Sequence, residues 1–278
     1  MQNYNKLIDL TFIGASGGFS IRTPRSGLKP NISITGELTS ASLATNLDIR
    51  VTNLYTDKIM SSFQEVLVTA GYESKQSAVL RGSIINVTTE TPGPDKVTLI
   101  QCTTSNYDLW LDGTVNLNLP APVMLKAALA QLTGALGYQT EYIDPSLLLK
   151  TSTVPLCVNG TVRTAIDTLK KLFPDVTLSI ESNRIYAVPQ EGVTLKKVHF
   201  LRYLMQAPQF SGSAVSLMAP WEPSVRPGDF IQYSLTGYGT RNLAADKVLK
   251  RARVISVQFS FDTVGSQNEM LITGTTGV

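Results

Sequence analysis

The sequence predicts a mainly β protein in which two antiparallel, barrel-like domains, 1–118 and 192–278, flank a small α+β insert at 119–191. Three observations predict it. Short runs alternating between apolar and polar residues dominate the first third of the chain and return near its end, with stretches rich in Gly, Ser and Pro between them. Helical periodicity is confined to the middle. No short-period internal repeat is present, which argues against a solenoid.

The first strand-like run is "LTFI", followed by "GASGGF" from Gly14. That glycine-rich stretch has no Gly-Lys-Ser/Thr ending and leads into "SIRTPRSG" rather than a helix, so it is read as a loop between two strands and not as a phosphate loop. The first 25 residues fit either a strand of the first barrel or an arm reaching a neighbour. In "NLDIRVTNLY", Leu47, Ile49 and Val51 alternate with Asp48, Arg50 and Thr52, a half-buried strand with one wet face. "QEVLVTAGY", "AVLRGSIINV" and "DKVTLIQC" continue the pattern, with "TETPGPD" as a turn segment.

The period changes near residue 120. Leu125, Leu129, Leu132 and Leu136 recur at helical spacing, with prolines before them and Gly137 after, which predicts an amphipathic helix. A second helix is predicted from Val162, Ala165, Ile166, Leu169, Leu172 and Phe173. Lys170 and Lys171 lie in its last turn, where the helix dipole favours cations, and Pro174 stops it. "DVTLSIESNRIYAVP" then reads as a hairpin, with Val176, Leu178 and Ile180 on one face.

Strands return after about residue 192. In "RVISVQFSFD", Ile255, Val257, Phe259 and Phe261 face one way and Ser256, Gln258 and Ser260 the other; "EMLITGTTG" is expected beside it. Between "VSLM" and "GDFIQYSL" lies a stiff corner with three prolines and Trp221, since proline cannot donate to a strand ladder.

Composition limits function more by exclusion. The 278 residues are 43% hydrophobic and 16% charged, the pattern of a globular protein, and no apolar run approaches the ~20 residues that cross a bilayer. The N-terminus lacks the features of a signal peptide, so synthesis in a reducing cytoplasm is expected. Cys102 and Cys157 have no paired spacing and predict neither a disulfide framework nor a zinc site. A net charge of +3 is too small to mark a nucleic-acid binder.

Candidates for chemistry are few. The single histidine, His199, has no HExxH, Cys/His cluster or GxSxG elbow to work with and is read as structural or exposed. Glu37, Glu65, Glu73 and Asp95 are scattered over strands and turns, where a solvated face is the ordinary explanation. Asn-x-Ser/Thr triplets at Asn31, Asn86 and Asn159 carry no meaning without a leader peptide. No catalytic, metal-binding or cofactor-binding residue is therefore assigned. The basic segment "RNLAADKVLKRAR" lacks interleaved aromatics to stack bases; it reads as a wet loop or a subunit contact. Trp110, in "YDLWLDG", is read as a core residue. Trp221, in its proline-flanked corner, is expected to be partly exposed or buried against a neighbouring subunit. The candidate interface residues are Trp221, Arg226, Arg241, Lys247, Lys250 and Arg251.

Several segments taken together resemble the baseplate hub proteins of contractile-tailed bacteriophages. They are "DIRVTNLY", "VLVTAGY", "VLRGSIINV" and "DKVTLIQC", then "CVNGTVRTAIDTLKKL" with "VTLSIESNRIYAVP", then "LMAPWEPSVRPGDFIQ". The stretch "LRYLMQAPQFSGSAV" departs from the glycine-containing segment usual ahead of the last barrel. The resemblance implies a non-enzymatic virion protein of the tail baseplate, assembled in the bacterial cytoplasm as a homotrimer, connecting the tail tube protein to the central spike protein and touching baseplate wedge proteins. It further implies passive passage of genomic DNA, no cofactor and no direct membrane binding. Three copies of a two-barrel chain would present six similar units to a sixfold tube. The alternatives are a tail-tube or tube-terminating ring protein, a tail-associated cell-wall hydrolase, and a carbohydrate-binding module.

Overall fold

A computed structural model describes residues 5–15, 17–39, 46–54, 63–91, 93–104, 113–137, 139–142, 145–181, 184–189, 197–201, 203–234 and 249–276. The first third supplies β1 (Lys6–Gly14), β2 (Gly17–Ile21), β3 (Ile32–Thr39), β4 (Asn46–Thr52), β5 (Glu65–Tyr72), β6 (Lys75–Glu90) and β7 (Val97–Thr104). The middle holds β8 (Thr114–Leu119), β9 (Val123–Met124), helix α1 (Leu125–Leu136), β10 (Gln139–Tyr142), β11 (Thr151–Ser152) and β12 (Leu156–Thr161), followed by helix α2 (Val162–Leu172), β13 (Val176–Glu181) and β14 (Arg184–Pro189). The last third holds β15 (Val198–Phe200), β16 (Gln209–Ser211), β17 (Ala214–Ala219), β18 (Phe230–Ser234), β19 (Leu249–Asp262) and β20 (Asn268–Thr276).

The chain is mainly β, as its alternating patterns predict, and it divides into two compact units. One comprises 1–39, 45–103 and 197–278; the other comprises 40–44 and 104–196. The divisions fall at 103/104 and 196/197 rather than at 118/119 and 191/192. The physical reason for the earlier one is β8, which pairs antiparallel with β12 and contributes Val115 and Leu117 to the core of the second unit.

The first unit carries one 13-stranded sheet, in the order β16-β17-β20-β19-β3-β4-β7-β6-β5-β1-β2, with β18 against β19 and β15 against β18. Its strands share one hydrophobic core, from Ile8, Leu10 and Phe12 through Ile32, Ile34 and Ile49 to Leu217, Phe261 and Ile272. The expected two barrel domains are not resolved as separate sheets: the two terminal thirds join in a single sheet, and no closed barrel is found among the described residues. The cause is the length of β19. Its first part pairs with β18 and its second part with β3, so one strand serves both thirds.

β19 also corrects the register read from its sequence. The pairing with β20 shifts between Val254 and Ser256, leaving Ile255 as the extra residue of a β-bulge. Ala252 and Val254 are buried before the bulge, and Val257, Phe259 and Phe261 after it. Ile255 is therefore displaced from the core row. The alternation Leu47, Ile49, Val51 on β4 is buried as predicted, and β1 and β2 pair antiparallel with Gly14 opposite Gly17.

The second unit confirms both helices. In α1, Leu125, Leu129, Leu132 and Leu136 are buried, and Gly137 takes the left-handed conformation that caps it, at φ 67°. In α2, Val162, Ala165, Ile166 and Leu169 are buried, the Thr161 side chain accepts from the Thr164 N–H at the N-cap, and Lys170 and Lys171 occupy the last turn. β13 and β14 form the expected hairpin, with β10 alongside β14 in parallel.

Candidate assembly surface

The corner at 220–229 forms because Pro220, Pro223 and Pro227 deny β17 and β18 a continuous ladder. Two tight turns replace it, with Val225 N–H donating to Glu222 O (3.1 Å) and Asp229 N–H to Arg226 O (3.1 Å). Gly228, at φ 85°, adopts a conformation that other residues rarely tolerate, and its N–H reaches Val254 O at 2.7 Å.

Trp221 is only 3% exposed. Its ring lies nearly parallel to Phe259 (centroids 5.1 Å apart, 10° between planes) and 4.5 Å from Phe261. The expectation of partial exposure is overturned: the indole is a core residue of its own chain, reached because the proline corner folds back over the β19–β20 hairpin. Tyr72, at the end of β5, donates to Trp221 O at 3.0 Å and also bonds Asn268.

Charged groups hold the outside of the corner. Arg226 donates to the backbone carbonyls of Pro223 (2.7 Å), Val225 (3.1 Å) and Ala78 (2.6 Å), tying the corner to β6. Glu222 accepts from Lys75 at 2.9 Å and from the Ser224 hydroxyl at 2.8 Å. Burial alone would raise the Glu222 carboxyl, but the bonds from Lys75 and Ser224 outweigh it and hold the group below the usual carboxylate range. His199 Nε2 and Asp229 Oδ2 lie 2.9 Å apart, and the same carboxylate oxygen accepts from Arg226 N–H at 2.9 Å. His199 thus has a structural partner, which sequence spacing could not reveal. Nearby, Lys6 bonds Asp262 and donates to Gly265 O (2.6 Å), fastening β1 to the turn after β19.

The corner is an internal clamp, and the candidate residues are scattered with respect to it. Lys250 is exposed at the start of β19. Arg251 lies over the Phe230 ring, 4.1 Å from its centroid, with its Nε buried and unpartnered. Arg241 and Lys247 lie outside the described residues, as does Trp110. No group of three or more His, Cys, Asp or Glu side chains with metal-binding geometry occurs among the described residues.

The signal missed in the sequence lies at two of the strands that end the sheet. β2 (GGFSI) and β16 (QFS) each pair on one side only among the described residues, and their Phe19 and Phe210 are 41% and 54% exposed. An exposed phenylalanine in a short strand looks like any other strand residue until its neighbours are known.

The fold, a many-stranded and mainly antiparallel sheet with a helix-containing second unit, is similar to that of phage tail proteins. No family model and no curated protein matches the sequence. Among solved structures, the chain is similar to a tail protein from Neisseria meningitidis MC58, at 7% identity and TM-score 0.61, covering 98% of this chain and 97% of that one. It is also similar to the 43 kDa tail protein of prophage MuSo2 from Shewanella oneidensis, at 9% identity and TM-score 0.60, covering 96% and 98%. A third similar structure is an Escherichia coli component of the type VI secretion system described as structurally similar to the T4 tail proteins gp27 and gp5. It matches at 10% identity and TM-score 0.56, covering 91% of this chain and 76% of that one.

Proposed function

We propose that the chain is a structural subunit of a phage-type tail, and within it a baseplate hub that joins the tail tube to the central spike and lets DNA pass through its assembled ring. The observation that carries this reading is the match of nearly the whole chain, 98% of it, to tail proteins of almost the same extent. A rigid, clamped sheet suits such a task. Its mechanism is geometric: the proline corner fixes one backbone conformation before any partner docks, so less conformational entropy is lost on assembly.

The hub reading is favoured over a plain tube ring by the second unit, whose two helices and three small sheets have a core of their own. A tube subunit needs only the sheet. The expected partners are two further copies of the chain, tail tube protein, spike protein and wedge proteins, in the virion baseplate.

Mass measurement of the purified protein tests the proposal. A trimer is expected; a hexamer would favour the tube ring, and a monomer at high concentration would overturn the self-association. Incubation with peptidoglycan is expected to release no soluble fragments. Release that disappears on mutating a single carboxylate would replace the structural role with a hydrolytic one.

A further inference from the structure

Two of the three strands that pair on one side only in the 13-stranded sheet, β2 and β16, lack the usual edge protection among the described residues. Proteins protect exposed strand edges with charged residues, prolines, bulges or a covering element, because a free row of N–H and C=O groups is a template for another chain. β2 and β16 contain no charged residue, no proline and no bulge. Each also carries the apolar core row out into solvent. Phe19 stands opposite Phe12, and Phe210 opposite Val215, and both of those partners are fully buried. Facing residues in a ladder share a side of the sheet, so Phe19 and Phe210 lie on the core side and are nonetheless 41% and 54% exposed. Phe19 is also held in place, its ring stacked on Phe12 at 6.0 Å and on Phe63 at 6.3 Å.

One of these edges belongs to the N-terminal third and the other to the C-terminal third. Within the chain these thirds already meet edge to edge, through the antiparallel pairing that sets Ser256 opposite Thr39 and Asp262 opposite Ser33. We infer that copies of this chain associate head to tail, the β2 edge of one against the β16 edge of the next, burying Phe19 and Phe210 and repeating between chains the joint that β3 and β19 make within one. The partner is a second copy because each edge is uncharged and carries one exposed phenylalanine, and the chain itself supplies both edges. Two different edges meeting form a heterologous contact, which propagates around a ring, whereas β2 against β2 would stop at a dimer. This inference rests on the self-association in the proposed function and names its surface.

The test mixes two blocked variants. Phe19→Asp and Phe210→Asp, each confirmed folded by circular dichroism, are expected to be monomers alone and to form heterodimers, and nothing larger, when mixed in equal amounts, because one competent contact remains. If either variant fails to fold, Ser20→Cys with Gln209→Cys in a Cys157→Ser background decides instead: oxidation is expected to give a covalent ladder rising to the full assembly. Wild type that assembles while both Asp variants assemble equally well, or a cysteine pair that never crosslinks, would overturn the edge contact and leave self-association standing. Homodimers of either Asp variant would show an isologous contact and overturn it as well. Monomeric wild type at high concentration would remove the self-association reading itself.

Discussion

Trp221 shows how one side chain sets the character of the corner. With its ring packed between Phe259 and Phe261 and only 3% exposed, truncation leaves a cavity that the proline-locked backbone cannot collapse into. Trp221→Ala is expected to cost about 3–5 kcal/mol, read as a lower urea midpoint; a loss below about 1 kcal/mol would place the indole outside the core. Cys102 and Cys157 provide a second check at this scale. Cys102 is buried and its thiol is pushed up to about 12 by burial, with the Asp48 charge adding to it, while Cys157 is exposed. Near neutral pH one thiol per native chain is expected to react with a maleimide, and the other only in denaturant. Because the folded-state value lies above the ordinary 9.0, the folded chain keeps a proton that the unfolded chain has lost between 9.0 and about 12. Stability from this group is thus complete below pH 9.0 and falls as pH rises across that window.

At the scale of elements, the bulge in β19 decides which residues support the sheet. Simple alternation assigns Ile255 to the core, but the shift between Val254 and Ser256 gives that place to Val254, which is buried. Val254→Ala is expected to lower stability by about 1–3 kcal/mol and Ile255→Ala by less than half as much; the reverse order in urea denaturation would contradict the register. Alternation was legible in β4 and in the later part of β19, because an unbroken ladder preserves period two. It failed at the bulge because an extra residue is a property of the pairing with β20, which local sequence does not carry. The helices were legible for a related reason: their periodicity and end signals are local, as Leu125, Gly137 and Pro174 illustrate.

For the whole molecule, the division into units is the testable claim. The core of the second unit is built from residues between Val115 and Ala187, so a fragment of 104–196 is expected to fold alone, with helical circular dichroism and a cooperative thermal transition. A broad, non-cooperative melt would show that the first unit is needed to complete it. The candidate surface was far less legible than the fold. Of the six residues singled out by composition and turn chemistry, Trp221 lies inside the core and Arg226 donates to its own chain's carbonyls, whereas the exposed Phe19 and Phe210 drew no notice.

By itself the sequence determined the β class, the two helices, the hairpin after them and the stiff corner, since periodicity and proline chemistry act over a few residues. Only the tertiary structure decided that the terminal thirds share one sheet, that Ile255 yields its place to Val254, that Trp221 points inward, and that β2 and β16 pair on one side only among the described residues. Each of those depends on which distant strands pair, and the free energy of that pairing is shared between residues more than 200 positions apart, such as Ser33 and Asp262.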